Sequence, residues 1–213
     1  MTRRMLLFGG TFDPVHHGHL IVARAVCERG GYERVVLVPA ATPPHKRPAA
    51  ASGAHRLAML RLAVGDDPVF AIDDIELRRA GPSYTYDTLA ALRQREGADV
   101  ELHWLIGADM LADLPQWHRV QDVLTLARLI VAVRPPWDER LDTLLADLRG
   151  ALDTRVVDAL AESVVDVPRV EIASSAIRAR VADGRSIRYL VPEPVRAYMR
   201  DQRLYAGSGP AHK

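Results

Sequence analysis

Residues 9–19 read GGTFDPVHHGH. Two glycines directly after the apolar run Met5–Phe8 let backbone come close to a ligand. Backbone N–H groups in such a turn, with a helix start beside them, favour phosphate. His16 and His19 stand three apart, so on a helix both rings point the same way. Two imidazoles over a phosphate donate hydrogen bonds to charge that develops during transfer. A preorganised donor of this kind is worth about 3–4 kcal/mol in the transition state. His16, His17 and His19 also suit a metal ion, but no carboxylate or cysteine is spaced to complete the ligand set. His17 faces away and takes no role. The stretch is not the dinucleotide pattern GxGxxG, and GxxxxGK[ST] occurs nowhere.

A second polar cluster lies at residues 172–178, IASSAIR. Ser174 and Ser175 open a helix and Arg178 lies one turn on. Hydroxyls, N-terminal amides and a guanidinium then converge on one point, which suits a triphosphate. The plainer reading is a serine N-cap beside a solvated arginine. Lys46 stands out because Lys213 is the only other lysine among 28 basic residues. It lies in a proline-rich stretch, residues 40–53, without periodicity, and loops of that length are often functional. Lys46 is expected to contact a substrate phosphate.

These clusters need a frame. Apolar blocks at Met5–Phe8, Val35–Val38, Val69–Ile72, Leu102–Ile106 and Leu129–Val133 read as strands. Helical spacing predicts helices over 18–29, 54–64 and 86–96, the first stopped by Gly30-Gly31. Residues 137–165 read as mainly helical, a short strand is expected before 173–178, and Pro192–Leu204 reads as a last helix. Strands separated by helices imply right-handed crossovers and a parallel sheet. The expected fold is a three-layer, Rossmann-like, doubly wound α/β sheet with a C-terminal helical portion. A single domain is expected over 1–205, with a loose tail at 206–213. Ligands bind such sheets at the carboxyl ends of the strands, which is where the polar clusters fall.

The composition narrows the function. The 213 residues are 48% hydrophobic and 26% charged, ordinary for a globular protein. No apolar run approaches the ~18–20 residues that cross a bilayer. The apolar stretch after Arg3-Arg4 is too short for a signal-peptide core. A single cysteine, Cys27, fits a cytoplasmic location. The net charge of +1 gives no global case for nucleic acid. Neither observation bears on whether the chain forms a homo-oligomer.

GGTFDPVHHGH resembles the His-x-Gly-His signature of the adenylyl- and cytidylyltransferases, and SSAIR resembles that superfamily's second signature. With PPHK at 43–46, SYTYDTL at 83–89 and IGADMLADLPQWH at 106–118, the chain resembles the bacterial nicotinate-nucleotide adenylyltransferases from Phe8 to about Tyr205. It departs from that family at Ala40, Ala41 and Thr42, where an asparagine is usual, and at Ala173, usually serine. Only Ser174 and Ser175 of the serine run carry over.

The resemblance implies transfer of AMP from ATP to nicotinate mononucleotide, with Mg²⁺ carried by ATP. It implies that His16, His19 and Arg178 are catalytic, with His19 on the α-phosphate. Gly9, Gly10, Thr11 and Phe12 would line the phosphate turn, and Ser174 and Ser175 would hold the β- and γ-phosphates. Gly107 and Asp109 would meet ribose, although Asp109 also reads as an N-cap for 110–114. Backbone N–H groups around Tyr84 and Thr85 suit the nicotinate carboxylate, and Trp117 offers the pyridine ring a flat face. Tryptophan is as often a core residue. Two rivals share these residues: a same-fold transferase for another acceptor, such as nicotinamide mononucleotide or pantetheine phosphate, and a non-catalytic nucleotide sensor.

Overall fold

Apolar runs of four to eight residues, too short for helices, pair side by side. A computed structural model describes residues 3–42 and 48–207. Its strands are β1 (Arg3–Gly10), β2 (Val35–Pro39), β3 (Phe70–Ile72), β4 (Val100–Gly107), β5 (Ala127–Val133) and β6 (Val164–Asp166). They form one sheet in the order β3-β2-β1-β4-β5-β6. Every pairing is parallel. The helices are α1 (His17–Arg29), α2 (Gly53–Val64), α3 (Thr85–Glu96), α4 (Val120–Leu126), α5 (Leu141–Arg149), α6 (Thr154–Glu162), α7 (Ser174–Ala182) and α8 (Glu193–Asp201).

Side chains alternate across a strand, and the two faces of the sheet build two cores. Met5, Leu7, Leu102 and Trp104 pack with Leu89 and Leu92 of α3 and with Leu144, Leu148, Val157 and Leu160 of α5 and α6. Leu6, Val35, Leu37 and Leu105 pack with Val26 of α1, Met59 and Leu60 of α2, Ile177 of α7 and Val195 of α8. This is the expected three-layer, Rossmann-like arrangement. The strand order reverses between β1 and β4, where a crevice opens at the carboxyl ends.

Several expected boundaries are corrected. The last strand is Val164–Asp166, which begins within the segment read as helical, and residues 167–173 lie in no strand. The final helix ends at Asp201, with Pro192 at its N-cap. Asp109 is not an N-cap: it sits inside the 3₁₀ turn Ala108–Met110, whose N-cap is Gly107. Lys46 lies outside the described residues. No helix among the described residues is long and apolar enough to cross a membrane.

Candidate active site

The carboxyl ends of β1 and β4 open into a cleft of about 680 Å³. Its floor is backbone. A Cβ on Gly9 would lie 2.3 Å from Cζ2 of Trp104, so only glycine lets β1 end flush against that ring. Phe12 follows with φ +49°, a left-handed conformation uncommon for non-glycine residues. Its side chain is buried and packs edge-on against His19, centroids 5.0 Å apart. What Phe12 offers a ligand is therefore backbone, and its ring serves as a support for His19.

His16 and His19 begin α1. Their rings stack with centroids 3.7 Å apart. The backbone N–H of His16 donates to Nδ1 of His19 at 3.3 Å. This contact fixes a tautomer: with Nδ1 accepting, the neutral ring carries its hydrogen on Nε2. His16 is almost fully buried, and its Nδ1 has no hydrogen-bond partner among the described residues. Burial, the Arg134 guanidinium and His17 hold the His16 pKa down at about 4, so the ring is neutral at neutral pH.

The second cluster docks on the first. The Ser174 hydroxyl donates to the Pro14 carbonyl at 2.9 Å, and Nη1 of Arg178 donates to the Asp13 carbonyl at 2.6 Å. Helix α7 thereby directs its N-terminus at the phosphate turn. Ser174 is not the N-cap; that position is Ala173, and no side chain caps the helix. On the opposite wall, Tyr84 is the N-cap of α3 and its ring lies 4.4 Å from His118. Trp117 closes the 3₁₀ turn Leu114–Gln116, half-buried, with part of its ring against the core. Gly107 lets the Asp109 carboxylate fold over the end of β4: a Cβ there would meet Oδ1 at 2.2 Å.

The cleft thus brings together Gly9, Gly10, Thr11, Phe12, His16, His19, Tyr84, Thr85, Gly107, Asp109, Trp117, Ser174, Ser175 and Arg178. It adds residues that sequence reasoning passed over. Arg134 directly follows β5 and lines the cleft, a position the carboxyl-end rule would have flagged. Glu76, buried, also lines it and accepts from the Thr88 hydroxyl at 2.7 Å. Burial pushes its carboxyl upward. No group of three His, Cys, Asp or Glu among the described residues is placed to hold a metal ion.

The cytidylyltransferase-like family matches residues 7–180. A protein of Thermomicrobium roseum named a probable nicotinate-nucleotide adenylyltransferase is 49% identical over 204 residues, covering 95% of this chain and 91% of its own. The chain belongs to the nicotinate-nucleotide adenylyltransferase family. A Synechococcus relative of the same name is 43% identical, with 95% of both chains covered. Among solved structures, the Plasmodium falciparum nicotinic acid mononucleotide adenylyltransferase complexed with NaAD matches with a TM-score of 0.74. It covers 95% of this chain and 97% of its own at 16% identity, a likeness of fold.

Burial of His16 and His103 has a thermodynamic consequence. His16 is held at about 4, below its ordinary 6.5. The buried His103, whose Nδ1 contacts the Tyr32 hydroxyl at 2.5 Å, is also shifted down by burial. Between the folded and unfolded pKa values the unfolded chain binds more protons. The stability these rings contribute is therefore complete above about pH 6.5 and is lost as pH falls below it, for His16 down to about pH 4. For His16 the loss reaches roughly 3 kcal/mol. Denaturant midpoints measured down this pH range are expected to fall more steeply for the natural chain than for His16→Gln. Parallel slopes would remove His16 as a source of acid sensitivity.

Proposed function

We propose that the cleft joins ATP to nicotinate mononucleotide, giving nicotinate adenine dinucleotide and pyrophosphate. The observation that carries this is the convergence on one cleft of the stacked His16–His19 pair, the N-terminus of α7 with Arg178, and the aromatic wall of Tyr84 and Trp117. Anion-binding groups lie on one side, and a flat, apolar ring site lies on the other.

A phosphate oxygen of the mononucleotide attacks the α-phosphorus of ATP. The new P–O bond forms as the bond from that phosphorus to the oxygen bridging the β-phosphate breaks, and pyrophosphate leaves. The second pKa of a phosphomonoester is roughly 6, so the nucleophile is already ionised and no general base is required. Catalysis then rests on positioning and charge stabilisation. His19 donates Nε2–H to the α-phosphate, in the tautomer set by the His16 backbone. Ser174, Ser175 and Arg178 take the β- and γ-phosphates, and Asp109 accepts from ribose hydroxyls. Mg²⁺ arrives on the triphosphate, bound by phosphate oxygens and water rather than by a protein cage.

Incubation with ATP, Mg²⁺ and either nicotinate mononucleotide, nicotinamide mononucleotide or pantetheine phosphate tests this by pyrophosphate release. Release with another acceptor alone would reassign the acceptor, and nucleotide binding without release would make the chain a sensor.

The first-turn amides of α3 donate and cannot accept, and the helix start carries partial positive charge. A carboxylate satisfies such a site, whereas a carboxamide brings an NH₂ against donors. The expected kcat/KM for nicotinate mononucleotide exceeds that for nicotinamide mononucleotide by at least ~100-fold. Trp117→Ala is expected to raise KM for the acceptor far more than for ATP. Equal kcat/KM for the two mononucleotides would sink the selectivity.

A further inference from the structure

Asp13 sits at the end of the phosphate turn with its carboxylate buried beside a site built for a triphosphate. An uncompensated carboxylate there would repel the ligand. It would also compete for Arg178, whose Nη1 lies 3.8 Å from Oδ2. A carboxylate and a guanidinium this close ordinarily close into a two-pronged pair, which would occupy the same fork of N–H groups that a phosphate needs.

Both carboxylate oxygens are instead taken by other donors. The Ala50 N–H donates to Oδ2 at 2.7 Å and the Ala51 N–H to Oδ1 at 3.1 Å. The Tyr205 hydroxyl donates to Oδ1 at 2.6 Å. Tyr205 lies beyond α8 with φ +62°, an outlier for an aromatic residue. The backbone just before it is held by the Leu204 N–H on the Met199 carbonyl at 2.9 Å. Burial and the Asp13 carboxylate push the Tyr205 ionisation well above its ordinary range, so its hydroxyl remains a donor.

We propose that Tyr205 is a positioning residue for the triphosphate site: it anchors the Asp13 carboxylate and so keeps the Arg178 guanidinium available to the leaving pyrophosphate. This rests on the reading of the cleft as an ATP site. It assigns a role in nucleotide binding to a residue at the far end of the chain, 192 positions from its partner.

Tyr205→Phe removes one hydroxyl and keeps the ring. Calorimetric titration with Mg·ATP, without acceptor, is expected to show affinity about tenfold weaker. KM for ATP rises in proportion, while KM for nicotinate mononucleotide stays within about twofold. In an Arg178→Ala background the same change adds less than about twofold, because the two residues act through one contact. Natural ATP affinity in a folded Tyr205→Phe protein overturns the proposal, as do additive effects in the double variant. A Tyr205→Phe chain that does not fold also overturns it, because the hydroxyl is then a folding requirement. If the natural chain binds ATP but releases no pyrophosphate with nicotinate mononucleotide, the acceptor reading falls and the binding test still decides Tyr205. If it binds no ATP, both fall.

Discussion

His19→Ala is expected to lower kcat at least ~100-fold in a protein that stays folded. The side chain is part-exposed on the cleft wall, at the first turn of α1 rather than in a core. Its ring packs on Phe12, Phe8 and His16 and its Nδ1 accepts from the His16 N–H, so its removal costs about 1–2 kcal/mol of stability. What it loses is the donor that its tautomer aims at developing charge. Because that interaction strengthens in the transition state, kcat falls while KM for ATP changes little. His17→Ala provides the contrast. The contact of His17 is its backbone N–H on the Leu190 carbonyl at 3.1 Å, which survives loss of the ring, so turnover is expected to stay near natural. Steady-state kinetics beside thermal unfolding separates these outcomes. Near-normal turnover in folded His19→Ala would take His19 out of the chemistry.

The frame that positions His19 was largely legible because most strands are buried on both faces. Val35–Val38 is a continuous apolar run and Leu102–Ile106 is interrupted only by the buried His103, which is how the inner strands of a parallel sheet read. The sixth strand was not legible. Val164–Asp166 is three residues long and only partly buried, too short to show any period. It is a strand because β5 offers it an edge, with Val131 opposite Val164. Pairing of that kind is decided by tertiary structure. The last helix ends earlier than predicted for a related reason: after Gln202 the backbone turns back and brings Tyr205 to Asp13, with Arg203 and Tyr205 at positive φ.

The same division runs through the site. Each polar cluster follows a strand or opens a helix, so local sequence marked it. The contacts that join clusters were out of reach. Nothing near Ser174 in sequence predicts that its hydroxyl reaches Pro14 rather than capping its own helix. Asp13 read as part of a turn, with no hint that donors from residues 50, 51 and 205 meet on it. Arg56 was hidden most completely. Helical spacing over 54–64 makes Leu57, Leu60 and Val64 the expected apolar stripe, which leaves Arg56 expected in solvent. It is instead 1% exposed.

Arg56 holds the cleft together from behind, and its loss is expected to be the largest single stability effect. Its Nη1 donates to the Thr11 carbonyl at 2.8 Å, Nε to the Ala51 carbonyl at 3.2 Å and Nη2 to the Ala41 carbonyl at 3.4 Å. One planar fork thus ties the phosphate turn to the backbone after β2 and to the residue before Ser52, the N-cap of α2. Burial pulls the guanidinium pKa down, opposed by the charge of Asp13, and an arginine starts high enough to stay charged. Arg56→Ala removes three hydrogen bonds, leaves the Asp13 charge less compensated and opens a cavity under the turn. The expected cost is about 3–5 kcal/mol, a drop in Tm of roughly 6–20 °C for a chain of this size. Arg56→Met restores most of the volume without the donors, so it is expected to recover only about 1–2 kcal/mol. Arg56→Lys offers a single ammonium and cannot span three carbonyls in one plane. Urea unfolding of the three variants separates packing from hydrogen bonding. If Arg56→Met were as stable as the natural chain, the three carbonyl contacts would contribute nothing net.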